Sequence, residues 1–500
     1  MTSKIFSATA IGFKGQPIEV ECDISKGLPS LQIVGLGNKA IDEAKERVRS
    51  AIKNSHLDFP AKRITVNLAP ANLPKDGAHF DLPIALAILV VSGQLRQEET
   101  SNALFAGELA LDGTLRPIKG AIHIAETAKK LGCKSIFLPK DNAPQAALVK
   151  GVEVVGVSNL SELFLHLKKE RRLPSVTKPS IKNAPQSSFP ILIDDIKGQT
   201  QAKRALKIAA AGHHNVLFTG PPGAGKTMLA KALLSLLPPL STEERIAVTK
   251  LHSLTDQVEA KSLLDRPFRS PHHTSSHISL IGGGRYPTPG EISLAHLGVL
   301  FLDELPEYPR SSLESLRQPL EDREVHVSRA SMRATFPANF MLVATKNPCP
   351  CGYYGDKSRE CTCSSSQILN YQKRISGPLL DRIDIIVPVS RVEHKDLLDA
   401  KTSSVESDEA RKQIQQARTI QQARYKTPLT NAALANKDIS KNITLLPEVE
   451  KLLIQASEQM KLTARSYFKI IKVARSIADL EQSEAITKAH IAEALQYRQI

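Results

Sequence analysis

Short apolar runs separated by stretches of mixed polarity set the first pattern in this chain. Runs at residues 33–35, 63–68, 135–138 and 152–157 read as strands, and the stretch 40–54 reads as a helix. Their alternation predicts an α/β domain over residues 1–172. Residues 173–190, LPSVTKPSIKNAPQSSFP, hold four prolines among Ser, Lys and Asn and read as a linker. Strand and helix patterns alternate again over 191–392. From 393 to 500 the pattern is helical: Tyr467, Ile470, Ile471, Ala474, Ile477 and Ala478 recur at three- and four-residue intervals, as on one buried helix face. No repeat of fixed period is evident. Three regions suit a chain of 500 residues at about 150 residues per domain.

Composition narrows the class. With 41% hydrophobic and 23% charged residues the chain is neither disordered nor fibrous. Lys and Arg outnumber Asp and Glu by 66 to 51, a formal charge of +15, which suits an anionic partner or a merely basic surface. The most apolar stretch, residues 82–91, is too short to span a bilayer and contains Pro83, so membrane insertion is not expected. The N-terminal residues lack an apolar core with a cleavage site, and six cysteines are too few for a disulfide scaffold, so a cytoplasmic location is expected. Tryptophan is absent and aromatics are 4%, so any nucleic acid would be held by charge and backbone contacts, with little base stacking. Lys168, Lys169, Arg171 and Arg172 form a basic cluster before the linker that also reads as a solvated helix end.

One motif carries specific chemistry. The strand-like residues 216–219 run into Gly220, Pro221, Pro222, Gly223, Ala224, Gly225, Lys226 and Thr227, then into a helical stretch. This is a P-loop in its required strand–loop–helix setting. Glycines let backbone N–H groups close around phosphate oxygens, and the helix N-terminus adds partial positive charge. Lys226 would reach the β- and γ-phosphates of ATP, and the Thr227 hydroxyl would ligate Mg²⁺. A second apolar strand, 299–302, ends in Asp303 and Glu304. Asp303 would hold Mg²⁺, and Glu304 would orient and deprotonate the attacking water. A third, 340–344, leads to Asn347, whose amide could contact the γ-phosphate or the water.

Three segments together resemble the magnesium-chelatase-like branch of the AAA+ ATPases: GPPGAGKTMLAKAL, GVLFLDELPEY, and ATKNPCPCGYYGD with RISGPLLDRIDI. The resemblance runs nearly end to end, from VNLAPANLPKDGAHFDLPIALAIL to ARSYFKIIKVARSIADL. It implies an AAA+ P-loop core over 191–392 followed by a helical lid over 393–500. Asn347 matches sensor 1. Arg382, in GPLLDRID, matches the arginine finger offered to a neighbouring subunit's γ-phosphate, with Arg374 as an alternative. Arg465, in TARSY, matches sensor 2. A surface ion pair is the competing reading for each. A finger in trans implies a ring, and the family pattern implies a homo-hexamer.

Thr227 and Asp303 stand 76 residues apart, more than a minimal core needs. The intervening residues 266–290 are rich in Gly, Pro and Ser, read as loop, and resemble the helix-2 insertion of this clade. Residues 324–339 resemble its pre-sensor-1 hairpin. Arg285, Arg329 and Arg333, with His272 and His273, are candidates for contact with a DNA backbone, or for ordering a ring interface. The two histidines lack carboxylates at helical spacing, which argues against a metal there.

Four of the six cysteines cluster as Cys349-Pro-Cys351 and Cys361-Thr-Cys363, two pairs separated by nine residues. Four thiolates suit a structural Zn²⁺ knuckle, with redox-active or buried thiols as the alternative.

Residues 1–172 resemble the Lon-type protease domain through PKDGAHFDLPIALAIL and GELALDGTLRPIKGAIHIAETAKKLG. The serine position of that family is His79 here and the lysine position is Ile122, so a Ser/Lys mechanism cannot run and the domain is expected to be non-proteolytic. Lys39, Lys45, Arg47 and Arg49 could meet phosphate or form a solvated face.

The resemblance implies an ATP-driven hexameric motor on single-stranded or branched DNA: a branch-migration helicase acting on recombination intermediates in natural transformation. The competing classes are a metal-insertion ATPase related to magnesium chelatase, whose ATPase subunits are expected to lack the Lon-like region, and an ATP-dependent protease.

Overall fold

A computed structural model describes residues 2–35, 39–73, 75, 77–176, 191–255, 265–284, 287–329, 332–356, 359–392 and 405–498. Arg285 and most of the expected linker lie outside the described residues, as does the side chain of Arg329. The chain forms two compact units. The first comprises residues 1–185, 242–263 and 328–335; the second comprises 186–241, 264–327 and 336–500.

The first unit is built on a seven-stranded mixed sheet. Its spatial order is Ser30–Val34, Arg63–Ala69, Lys14–Ser25, Thr2–Ile11, Ala103–Phe105, Ser135–Pro139 and Glu153–Val157. Thr2–Ile11 and Lys14–Ser25 pair antiparallel with Ile11 opposite Lys14, leaving Gly12 and Phe13 as a two-residue turn with Gly12 at φ +59°. The apolar run noted above becomes the helix Asp81–Val91, buried all round from Asp81 to Leu89, as a helix without a polar face must be. Asp81 enters that core because Arg47 meets it with both arms, Nε to Oδ2 at 2.7 Å and Nη2 to Oδ1 at 3.1 Å. The helix Thr242–His252 also belongs here. Its Lys250 is paired with Glu126 at 2.6 Å and lies 4.3 Å over the Phe13 ring, and the N–H of Gly120 donates to the carbonyl of Ser253 at 2.7 Å.

The second unit holds a five-stranded parallel sheet in the order Phe268–Arg269, Val299–Leu302, Met341–Lys346, Val216–Thr219, Ile385–Pro388. The helices Thr200–Gly212, Val405–Tyr425, Pro447–Gln459, Ala464–Leu480 and Lys488–Gln496 share one apolar cluster with it. Ile470, Ile471, Ala474, Ile477 and Ala478 are buried, as their spacing requires. A buried carboxylate, Asp479, is met by Arg424 and Arg475 and by the amide of Asn431.

Residues 266–290 depart from the loop reading. Phe268–Arg269 is an edge strand of the sheet, its ring stacked 5.8 Å from that of Phe301, and His277–Ile281 is a short helix. A two-residue strand carries too little periodicity to stand out among Pro, Gly and Ser. Residues 324–339 do hold a hairpin, Glu324–Arg329 with Met332–Pro337. Among the described residues no helix is long and apolar enough to cross a membrane.

Candidate nucleotide-hydrolysis site

Parallel strands place all their carboxyl ends on one edge of the sheet, where α/β proteins bind ligands. That edge gathers the P-loop after Val216–Thr219, Asp303 after Val299–Leu302, and Asn347 after Met341–Lys346. Gly223 and Gly225 have φ of +77° and +86°, and a methyl group at either would meet nothing within 4 Å. Backbone conformation therefore selects glycine here, and the space around the loop stays open for phosphate. Gly220 is selected by crowding: an added methyl would sit 2.1 Å from the Val389 carbonyl oxygen.

Lys226 opens the helix Lys226–Leu236 and is only 8% exposed. Its Nζ donates to the carbonyls of Gly220 at 2.7 Å and Pro221 at 2.9 Å, and to Asn347 Oδ1 at 3.0 Å. Burial lowers its pKa, with Asp303 and Glu304 pulling the other way. Thr227 Oγ1 donates to Asp303 Oδ2 at 3.2 Å, bringing together the two groups expected around Mg²⁺. Open space at the loop glycines, a buried lysine and a hydroxyl–carboxylate pair form a donor set that fits a magnesium nucleotide.

Thr345, which the sequence did not single out, organises both acidic residues. Its hydroxyl donates to Asp303 Oδ1 at 2.5 Å and accepts the backbone N–H of Glu304 at 2.9 Å. Glu304 takes φ +51°, an unusual conformation for a non-glycine residue, and its side chain is exposed. A threonine between Ala344 and Lys346 in a buried strand was the only available signal.

Arg382 and Arg465 are brought together, away from this edge. Arg382 follows the short helix Gly377–Leu380 and precedes Ile385–Pro388, which runs parallel to Val216–Thr219 with Val216 opposite Ile385. It thus lies at the amino end of the sheet, with at least a strand length, roughly 13 Å, between it and the P-loop. Arg382 donates to the Pro378 carbonyl at 2.7 Å and to Glu321, while Arg465 Nη2 meets the same Glu321 oxygen at 3.1 Å. The two guanidinium groups, Arg465 first, hold the Glu321 carboxyl below its usual range. Both arginines line a cavity of about 410 Å³ that also presents Arg323, Lys469 and Lys472. Arg374 instead pairs with Glu307 at 3.0 Å.

Arg333 is exposed on Met332–Pro337. The His272 and His273 rings lie 4.1 Å apart, and His272 Nδ1 is 2.7 Å from Thr274 Oγ1. The four clustered cysteines converge: their Sγ atoms all lie within 4.8 Å of one another, with 3.3 Å for Cys349–Cys351, 3.7 Å for Cys349–Cys361 and 3.5 Å for Cys351–Cys361. Backbone N–H groups of Cys351 and Tyr354 donate to Cys363 Sγ and Cys349 Sγ. In the first unit, His79 is half-buried, and desolvation of its ring depresses its pKa to about 4, while Ile122 is fully buried. The amine of Lys75 donates to the Pro70 carbonyl.

Known proteins resemble this chain along its whole length. The family model described as magnesium chelatase, subunit ChlI, matches residues 192–397, and its C-terminal counterpart matches 404–498. A further model, subunit ChlI of Mg-chelatase, matches 20–142. That match removes the N-terminal region as a ground for setting this chain apart from chelatase subunits. The chain is 42% identical to competence protein ComM of Haemophilus influenzae over 498 residues, covering 99% of this chain and 97% of that protein. It is also 42% identical to YifB of Escherichia coli, an uncharacterized protein, over 100% of this chain and 97% of that one. Lon protease 2 of Bacillus subtilis is 30% identical over 170 residues, 32% of this chain and 30% of that protease.

Proposed function

The chain belongs to the magnesium-chelatase-like AAA+ ATPases of the ComM and YifB type, and on that premise we propose that it is an ATP-driven DNA motor. It works as a homo-hexameric ring in the cytoplasm, as a branch-migration helicase on recombination intermediates during natural transformation. The observation that carries the ring is the pairing of Arg382 with Arg465 on Glu321, at the sheet end remote from Lys226. Neither arginine meets the P-loop of its own chain, which leaves each available to a neighbour, where a cation would offset charge developing on the transferred phosphoryl group. The kinship to a protein named for competence, the charge of +15 and the exposed Arg333 support DNA as the polyanion.

Within one chain the division of labour follows from geometry. Mg²⁺ would neutralise phosphate charge beside Thr227 and Asp303. Lys226 exchanges its carbonyl and amide acceptors for phosphate oxygens. Glu304, exposed at the strand tip, takes the proton of the attacking water. The four-cysteine cluster is proposed to hold Zn²⁺: a tetrahedral site with Zn–S of about 2.3 Å has sulfurs about 3.8 Å apart, close to the separations found.

The deciding experiment measures ATP hydrolysis by the purified chain without DNA and with single strands, duplexes and four-way junctions. Stimulation by junctions, lost at high salt, is expected. The reading fails if the assembled protein neither binds nor unwinds DNA at low salt. A metal-insertion role, which the chelatase family models favour, would instead show as altered tetrapyrroles with DNA uptake intact.

A further inference from the structure

We propose that the four-thiolate centre braces the nucleotide loop, so that its metal occupancy sets the affinity of the P-loop for ATP. The inference rests on the zinc reading given above.

Gly352 directly follows Cys351 and turns at φ +86°, its N–H donating to the Cys349 carbonyl at 3.0 Å. A methyl group added at Gly352 would lie 2.6 Å from Cδ and 2.9 Å from Cγ of Pro222. The cysteine loop therefore touches the ring of a P-loop residue, and glycine is required both by conformation and by that contact. The other end of the loop reaches the same site. Cys349 stands two residues after Asn347, whose Oδ1 accepts from Lys226 at 3.0 Å. One short segment thus supports the phosphate site at Pro222 and again at Lys226.

That segment has no apolar core of its own, and its other ties are polar: Arg391 pairs with Asp356 at 3.8 Å, and Arg359 and Arg391 lie over the Tyr353 ring. Among its described residues, 348–356 and 359–364, only Cys349 and Gly352 are buried, and none lies in a helix or strand. Without an apolar core, such a loop gains order from the bonds its thiolates make to a metal as well as from these surface contacts, and metal binding becomes local folding free energy. The two N–H donors to Cys349 Sγ and Cys363 Sγ are the outer contacts expected around bound thiolates. Metal loss releases the Gly352 turn, and the loop no longer presses on Pro222.

The test uses the full chain, purified under reducing conditions. Zinc per chain is measured by mass spectrometry, and the dissociation constant of a fluorescent ATP analogue is measured with Mg²⁺ present. Both are repeated after a zinc-selective chelator that spares Mg²⁺, and after zinc is returned. About one zinc per chain is expected, with affinity weakened about fivefold or more on stripping and restored on reloading. Gly352→Ala should keep its zinc and weaken ATP binding to a similar degree, which decides the matter even if the stripped chain unfolds. Zinc retained while Gly352→Ala binds nucleotide normally overturns the brace and leaves the metal assignment standing. Absence of zinc, with no uptake on titration, overturns the metal assignment itself. A zinc-loaded wild-type chain that binds no nucleotide would instead refute the ATPase assignment.

Discussion

Lys226 of the P-loop and Asn347 at the tip of the adjacent strand are joined directly, Nζ donating to Oδ1 at 3.0 Å. Nucleotide entry must break or share this bond, because phosphate oxygens need the same ammonium protons. Lys226→Ala is expected to abolish ATP binding. Asn347→Ala should still bind ATP but lower turnover about a hundredfold, the size of effect seen when one donor to a developing charge is removed. Equal losses of affinity in both variants would show that Asn347 only shapes the loop.

Thr345 offers a sharper probe of the acidic pair. In Thr345→Val the Asp303 carboxylate loses a donor and the Glu304 N–H loses its acceptor, a cost of about 1–3 kcal/mol for a buried unsatisfied group. Turnover should fall with little change in KM. Glu304→Gln should bind ATP normally and hydrolyse it about 10² to 10⁴ times more slowly. Normal hydrolysis by Glu304→Gln would remove it as the base.

Glu321 is shared by Arg382 and Arg465. Glu321→Gln should free both guanidinium groups for a neighbour's phosphate and shift the monomer–ring equilibrium toward the ring, read by light scattering with a non-hydrolysable ATP analogue. Arg382→Ala should shift it the other way. Unchanged assembly in both would sink the trans assignment.

Asp479 is fully buried between Arg424 and Arg475. Removing the carboxylate strands two cations, so Asp479→Ala should destabilise the second unit by about 3–5 kcal/mol, measured by urea unfolding.

His296 gives the fold an acid limit. Burial holds its pKa down to about 4, and its Nδ1 accepts the N–H of Asn339 at 3.0 Å. The unfolded chain takes this proton near the ordinary histidine value of about 6.5, so stability falls as pH drops from there toward 4, by up to about 1.4 kcal/mol per pH unit. His79, depressed to about 4, and His123, depressed to about 3, act in the same sense in the first unit. Unfolding midpoints between pH 7.5 and 5 should decline, and less steeply in His296→Gln.

Much of the nucleotide site was legible because its residues are fixed by local chemistry: the P-loop glycines, Lys226 and the Asp303–Glu304 pair each follow a strand. What pattern reading missed depends on tertiary neighbours. Glu321 meets Arg465 only because segments 144 residues apart converge. Gly352 is constrained by Pro222, which no spacing rule links to it. The edge strand Phe268–Arg269 is too short to show a period. The long hairpin formed by Thr2–Ile11 and Lys14–Ser25 leaves no such mark in the sequence, because its Gly12–Phe13 turn lacks the Asn-Gly or Asp-Gly signature.

The division of the chain has a consequence for cutting it. The polypeptide passes between the two units five times. No single cleavage separates them, and a fragment that begins after residue 190 carries Thr242–His252 away from Glu126, Phe13 and Gly120, which that helix and Ser253 engage. Such a fragment exposes Val248 and Leu251, which are buried in the intact chain, and invites aggregation. The units are woven from one thread, and they are expected to be made, folded and degraded together.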